Sequence, residues 1–147
     1  GDIEIHASSL RGIDIPRHTV VSAMDEFPIL FIAAAFAKGT TRLHHARELR
    51  VKESDRLASM AEGLKACGIQ VTLFEDGIEI EGGVFKSARV RSFGDHRVAM
   101  SFAIAGAAAK APITIEDTDC IQTSFPNFLR LANSLSLNIS KLEEDKA

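Results

Sequence analysis

The stretch RVKESDR, residues 50–56, gathers Lys52, Glu53 and Arg56, and the stretch GDHR, residues 94–97, sets Arg97 two positions after Asp95. Each stretch runs into apolar residues at helical spacing, so the cations fall at helix starts. Unpaired N–H groups and the positive end of the macrodipole make a cation there cost a few tenths of a kcal/mol up to ~1. Two readings follow. Glu53 and Asp55 balance the charge locally, or the helix N-termini and their added cations form a pocket for a phosphate or carboxylate. The recurrence at Arg97 favours the second. On a helix Lys52 and Arg56 stand at i and i+4 on one face, and Glu53 lies beside them toward the apolar side, a place for a carboxylate that transfers protons. Asp25 and Asp95 each precede an apolar helix and are expected to cap it. If the corresponding helix starts face the same way, Asp25, the Lys52–Arg56 cluster and Asp95–Arg97 converge into a site for phosphorylated substrates.

The elements that must position these residues are legible from periodicity. Residues 18–23 are expected to be extended. Residues 26–38 form an almost wholly apolar helix with Pro28 in its first turn and Gly39 after it. A strand follows at 40–45, then a helix at 54–67 with Leu57, Met60, Ala61 and Leu64 on one face. Strands at 69–74 and 78–81 make a hairpin across Glu75-Asp76-Gly77. The remainder repeats the start: a strand at 87–93, a helix at 95–110, a strand at 112–116, a helix at 124–135 and an extended 137–140. Asp25 and Asp95 lie 70 positions apart, and each opens an Ala-rich helix followed by a Thr-containing strand. The expected fold class is α+β, built from βαβαββ units: about two units, over about 10–82 and 84–140, plus the last strand of a third. GDIEI at the start resembles DGIEI at 76–80, so residues 1–7 are expected to be the closing strand of an earlier unit. With no Met at position 1, the chain reads as a segment of a longer polypeptide, and the charged 141–147 as a disordered tail.

Composition narrows the function. A length of 147 residues suits one core. Seventeen Lys and Arg against 20 Asp and Glu, with no polybasic run, argue against nucleic acid and against a membrane surface. The apolar runs FPILFIAAAFA and VAMSFAIAGAAA are too short to span a bilayer. Cys67 and Cys120 have neither CxxC nor zinc spacing and are expected to be reduced thiols of a cytoplasmic protein. His44 and His45 are adjacent rather than i, i+4, His6 and His18 are expected at the surface, and no HExxH occurs, so no metal is expected. Neither GxGxxG nor GxxxxGK[ST] is present.

Four stretches, MDEFPILFIAAAFAKGTTRL, ELRVKESDRL, GDHRVAMSFAIAG and TSFPNFLRLANSL, resemble in order and spacing the C-terminal part of the 5-enolpyruvylshikimate-3-phosphate synthase family (3-phosphoshikimate 1-carboxyvinyltransferases), from about residue 10 to residue 138. The resemblance implies an α+β prism of βαβαββ units. It also implies transfer of enolpyruvyl from phosphoenolpyruvate to the 5-hydroxyl of shikimate 3-phosphate, with release of phosphate and with no metal or organic cofactor. By the same resemblance Asp25 is the proton acceptor and a contact to shikimate 3-phosphate, and Lys52 is a second contact to it. Glu53 protonates the methylene carbon of phosphoenolpyruvate, Arg56 and Arg97 hold that substrate, and His96 lies near the site. Thr123 stands where some members carry a lysine. The partner implied is an N-terminal domain with the other half of the ligands, without which the 147 residues are expected to fold but to be inactive. The alternatives are the related enolpyruvyl transferase acting on UDP-N-acetylglucosamine and a non-catalytic module that binds a phosphorylated metabolite.

Overall fold

The computed structural model describes residues 1–142. The strand expected at 18–23 is a helix, α1 (Arg17–Ser22), in which Val20 alone is buried. Pro16 precedes it with an extended backbone, and of the β-branched residues in this run Val21 is exposed, Thr19 half-buried and Val20 buried. The strand role passes to residues 10–15. Gly12 N donates to Lys38 O at 2.8 Å and Ile15 N to Arg42 O at 2.8 Å, and Lys38 and Arg42 donate back to Leu10 and Ile13. This segment lies parallel to the chain at 38–42.

Helix α2 (Phe27–Phe36) follows, with Pro28 in its first turn and Phe27, Phe31, Ile32, Ala34 and Ala35 buried. Strands β1 (Thr40–Leu43), β2 (Gln70–Leu73) and β3 (Ile78–Glu81) form an antiparallel sheet in the order β1-β3-β2, with Leu43 and Leu73 both opposite Ile78. The β2–β3 hairpin turns across Glu75-Asp76-Gly77 as expected, closed by Phe74 N donating to Gly77 O at 2.9 Å. Between β1 and β2 lie a short 3-10 helix (Arg47–Val51) and helix α3 (Arg56–Ala66).

The second part repeats the pattern. Strand β4 (Ala88–Arg91) pairs parallel with β5 (Ile113–Glu116), as residues 10–15 do with β1, and α4 (His96–Ala109) connects them as α2 does. The helix expected at 124–135 is instead two, α5 (Cys120–Ser124) and α6 (Phe128–Ser134). Pro126 disfavours helical backbone in the residue before it, and Phe125 leaves the helix at φ −142 and ψ 73. Residues 137–140 form no strand; Asn133 holds Ile139 by accepting from its N–H at 2.8 Å and donating to its carbonyl at 2.7 Å. Residues 1–9 form no strand either, leaving Ile3 and Ile5 exposed. Of the tail expected to be disordered, residues 143–147 lie outside the described residues.

One apolar core joins α2, α3, the three-stranded sheet and one side of α4, where Val98, Phe102 and Ala105 point inward. A smaller cluster lies under α5 and α6, around Ala99, Ala103, Ile121 and Phe128. Helices α3 and α4 approach so closely that a Cβ on Gly63 would stand 2.3 Å from the ring of Phe102, a fully buried side chain. Among the described residues no helix is long and apolar enough to cross a membrane.

Candidate active site

The starts of α2, α3 and α4 converge. Arg56, the first residue of α3, is fully buried, and its guanidinium reaches three carboxylates: Asp25 Oδ1 at 2.9 Å, Glu53 Oε2 at 2.7 Å and Asp95 Oδ2 at 2.9 Å. A cation that looks misplaced at a helix start is thus neutralised by acids from three segments, and its burial is tolerable for that reason. Burial works to lower its pKa, but the hydrogen bonds to Asp95 and Asp25 outweigh it and the net shift is upward. Arg56 stays charged.

Asp95 is also fully buried and divides its two oxygens. Oδ1 caps α4, accepting from Arg97 N at 2.9 Å and Val98 N at 3.4 Å, while Oδ2 takes Arg56 and the Ser54 hydroxyl at 3.1 Å. The loop before α4 is held by Ser92, whose buried hydroxyl donates to Asp117 O at 2.6 Å and accepts from Gly94 N at 3.1 Å. Asp25, unlike Asp95, caps no helix: α2 begins after Glu26 without a side-chain cap, and Asp25 turns to Arg56 instead. The Arg56 hydrogen bond holds the Asp25 carboxyl below its ordinary pKa against the opposing effect of burial, and the charges of Arg97, Arg56 and Lys52 add to the lowering.

Arg97 points back toward α2, donating to Asp25 O at 2.9 Å and pairing with Glu26 at 3.2 Å. It borders a shallow groove of about 180 Å³ between α2 and α4, walled by Ile29, Met100 and Ile104 and opening beside Asp25. Lys52 and Glu53 are not on the helix. They lie in a loop between the 3-10 helix and α3, so the expected i, i+4 face shared by Lys52 and Arg56 does not form. Lys52 is exposed and in no ion pair among the described residues, though its charge acts on Asp25. His96 opens α4, half-buried, and makes no side-chain hydrogen bond among the described residues. Thr123 uses its hydroxyl on Cys120 O at 2.8 Å within α5.

The N-cap of α3 is Asp55, which accepts from Ala58 N at 3.0 Å and pairs with Arg50 at 2.6 Å. Sequence reading treated Asp55 only as a balancing charge and overlooked Arg50, although an Asp three residues before a helical N–H is the usual capping signal. Cys67 and Cys120 are free thiols, and burial raises the Cys67 pKa to about 11, which makes it inert. Among the described residues no group of three or more His, Cys, Asp or Glu could hold a metal ion.

The family description for EPSP synthase (3-phosphoshikimate 1-carboxyvinyltransferase) matches residues 1–131. The chain belongs to the EPSP synthase family. Its relatives include the 3-phosphoshikimate 1-carboxyvinyltransferases of Legionella pneumophila (strain Paris), 54% identical over 140 residues, and of Vesicomyosocius okutanii, 55% identical over 141 residues. Each match covers 95% of this chain and 32% of the relative, so the chain spans about a third of the length of these curated relatives. Two solved structures of EPSP synthase from Acinetobacter baumannii superpose with TM-scores of 0.82 and 0.85 at 51% and 46% identity, covering 86% and 92% of this chain and 30% and 32% of theirs. The α+β architecture is that of the EPSP synthase fold.

Proposed function

We propose that this chain supplies one wall of a 3-phosphoshikimate 1-carboxyvinyltransferase active site, the activity by which its relatives are named. In this reading the shikimate 3-phosphate 5-hydroxyl oxygen attacks the enol carbon of phosphoenolpyruvate and gives up its proton to Asp25. Glu53 delivers a proton to the methylene carbon. The resulting tetrahedral intermediate loses phosphate and a methyl proton to restore the enol. Lys52 and Asp25 contact shikimate 3-phosphate, Arg56 and Arg97 hold phosphoenolpyruvate, and His96 borders them. The units over about 10–82 and 84–140 act together as part of a C-terminal domain. A facing N-terminal domain is the partner, and with one wall alone two bound anions are not held in reacting geometry.

The observation that carries the reading is the meeting of Asp25, Glu53 and Asp95 on Arg56 at the mouth of three helices. A guanidinium has five N–H donors, so three ion pairs leave two for an incoming anion. That anion would arrive on the side of Asp25 and Glu53, whose side chains are 56% and 51% exposed, rather than past buried Asp95. Asp25 is a weak base while Arg56 holds it, and becomes a better one when Arg56 turns to a substrate anion. Protonation and anion binding then share one cation.

The test is Glu53→Gln in the complete polypeptide. Turnover should fall by ~10²–10⁴ with the affinity for phosphoenolpyruvate little changed. Unchanged turnover would leave Glu53 as a charge partner of Arg56, and binding without turnover in the unmodified protein would favour a phosphometabolite-binding module.

A further inference from the structure

We infer that Arg50 is a positioning residue that holds the loop carrying Lys52 and Glu53 in place. The inference rests on the reading above that those two side chains meet substrate. Residues 52–55 run between the 3-10 helix and α3, and among the described residues no backbone hydrogen bond outside helices and strands involves 52–54. Side chains therefore carry the restraint. Glu53 on Arg56 at 2.7 Å and Ser54 on Asp95 at 3.1 Å tie the loop inward, and Arg50 ties its two ends: one terminal nitrogen pairs with Asp55 Oδ2 at 2.6 Å. Its Nε donates to Glu75 O and its other terminal nitrogen to Phe74 O, both at 2.6 Å, fastening the loop to the β2–β3 turn.

A planar guanidinium with three short, charge-assisted bonds to three acceptors is fixed in every torsion that matters, which a lysine ammonium cannot reproduce. The same carboxylate that Arg50 grips caps α3 through its other oxygen, so the restraint continues into the helix whose first residue is Arg56. Arg47, by contrast, pairs with the Glu75 side chain in full solvent, 75% exposed on both sides, and an ion pair of that kind holds little. Arg50 makes no hydrogen bond or ion pair with Asp25, Asp95 or Arg97, and it acts through the loop and the cap of α3. Releasing it leaves Lys52 on a segment held only on its inner side, by Glu53 and Ser54, and a misplacement of about 1 Å can cost ~10²-fold in rate.

The test compares Arg50→Ala, Arg50→Lys and Asp55→Asn in the complete polypeptide, reading the rate of trypsin cleavage after Lys52 and amide hydrogen exchange at α4 together with kcat and KM for both substrates. In Arg50→Ala, cleavage after Lys52 should rise tenfold or more with α4 exchange unchanged, and kcat should fall at least tenfold. Arg50→Lys should lie between it and the unmodified protein in cleavage and in kcat. A folded Arg50→Ala protein with unchanged cleavage after Lys52, or with a kcat loss that follows exchange in α4 rather than cleavage in the loop, overturns the inference. If Arg50→Ala does not fold, the other two variants decide by the same criteria. Should the unmodified protein show no transferase activity, the proposed function fails, while the cleavage readout still decides whether Arg50 holds the loop.

Discussion

Helix α3 starts from Asp55, a carboxylate 36% exposed that caps its own helix and is neutralised by Arg50 outside the site. Helix α4 starts from Asp95, with no exposure at all, which caps its own helix with one oxygen and grips Arg56 of α3 with the other. Both acids cap with one oxygen and hold an arginine with the other, but the arginine held by Asp55 lies five residues before it in the same unit, whereas the one held by Asp95 comes from the other unit. The difference makes the start of α4 the joint between the units, and the start of α3 a place where parts can be exchanged singly.

Removing each cap gives the largest contrast. Asp95→Ala removes the fully buried partner of a buried guanidinium together with the cap of α4 and should cost ~3–5 kcal/mol, against about 1 kcal/mol for Asp55→Ala, the ordinary loss of a cap. Urea unfolding followed by circular dichroism measures both, and equal losses would erase the distinction. Arg97→Ala tests the other cation of the pair. Its partner Glu26 is 61% exposed, so the loss should stay within about 1 kcal/mol, and a loss matching that of Asp95→Ala would mean that Arg97 belongs to the joint as well.

The smallest effect concerns acid. The Asp25 carboxyl sits below its ordinary value when folded, so its pairing with Arg56 stabilises the protein above the unfolded pKa and is lost as pH falls through the folded one. The stability difference between the unmodified protein and Asp25→Asn should therefore shrink below about pH 4. A difference independent of pH in that range would mean that Asp25 contributes through packing and not through charge.

Sequence periodicity captured what depends on local pattern: the apolar α2, the spacing of α3, the Glu75-Asp76-Gly77 turn and the repeat of α2 by α4. It missed what depends on distant neighbours. The β-branched run at 18–23 reads as a strand by propensity, yet residues 10–15 take the place beside β1, because hydrogen bonds to Lys38 and Arg42 decide the pairing. In the site, the cations and acids were recognisable by type, but their division of labour was not. Asp25 and Asp95 look alike as caps in sequence and both meet Arg56, but α2 begins only after Glu26, so Asp95 caps its helix and Asp25 does not. Arg50 was overlooked because two of its three partners are backbone carbonyls more than 20 residues away, which leave no residue-type signature.

Gly63 and Phe102 meet seven residues beyond Arg56 and Asp95 respectively, about 10 Å down each helix at 1.5 Å per residue. The absent side chain at Gly63 thus acts as a spacer gauge for the charged cluster. One added methyl group would wedge the two rods apart at mid-length and tilt their upper ends, so the fit of Arg56 against Asp95 is set by an apolar clearance buried between the helices.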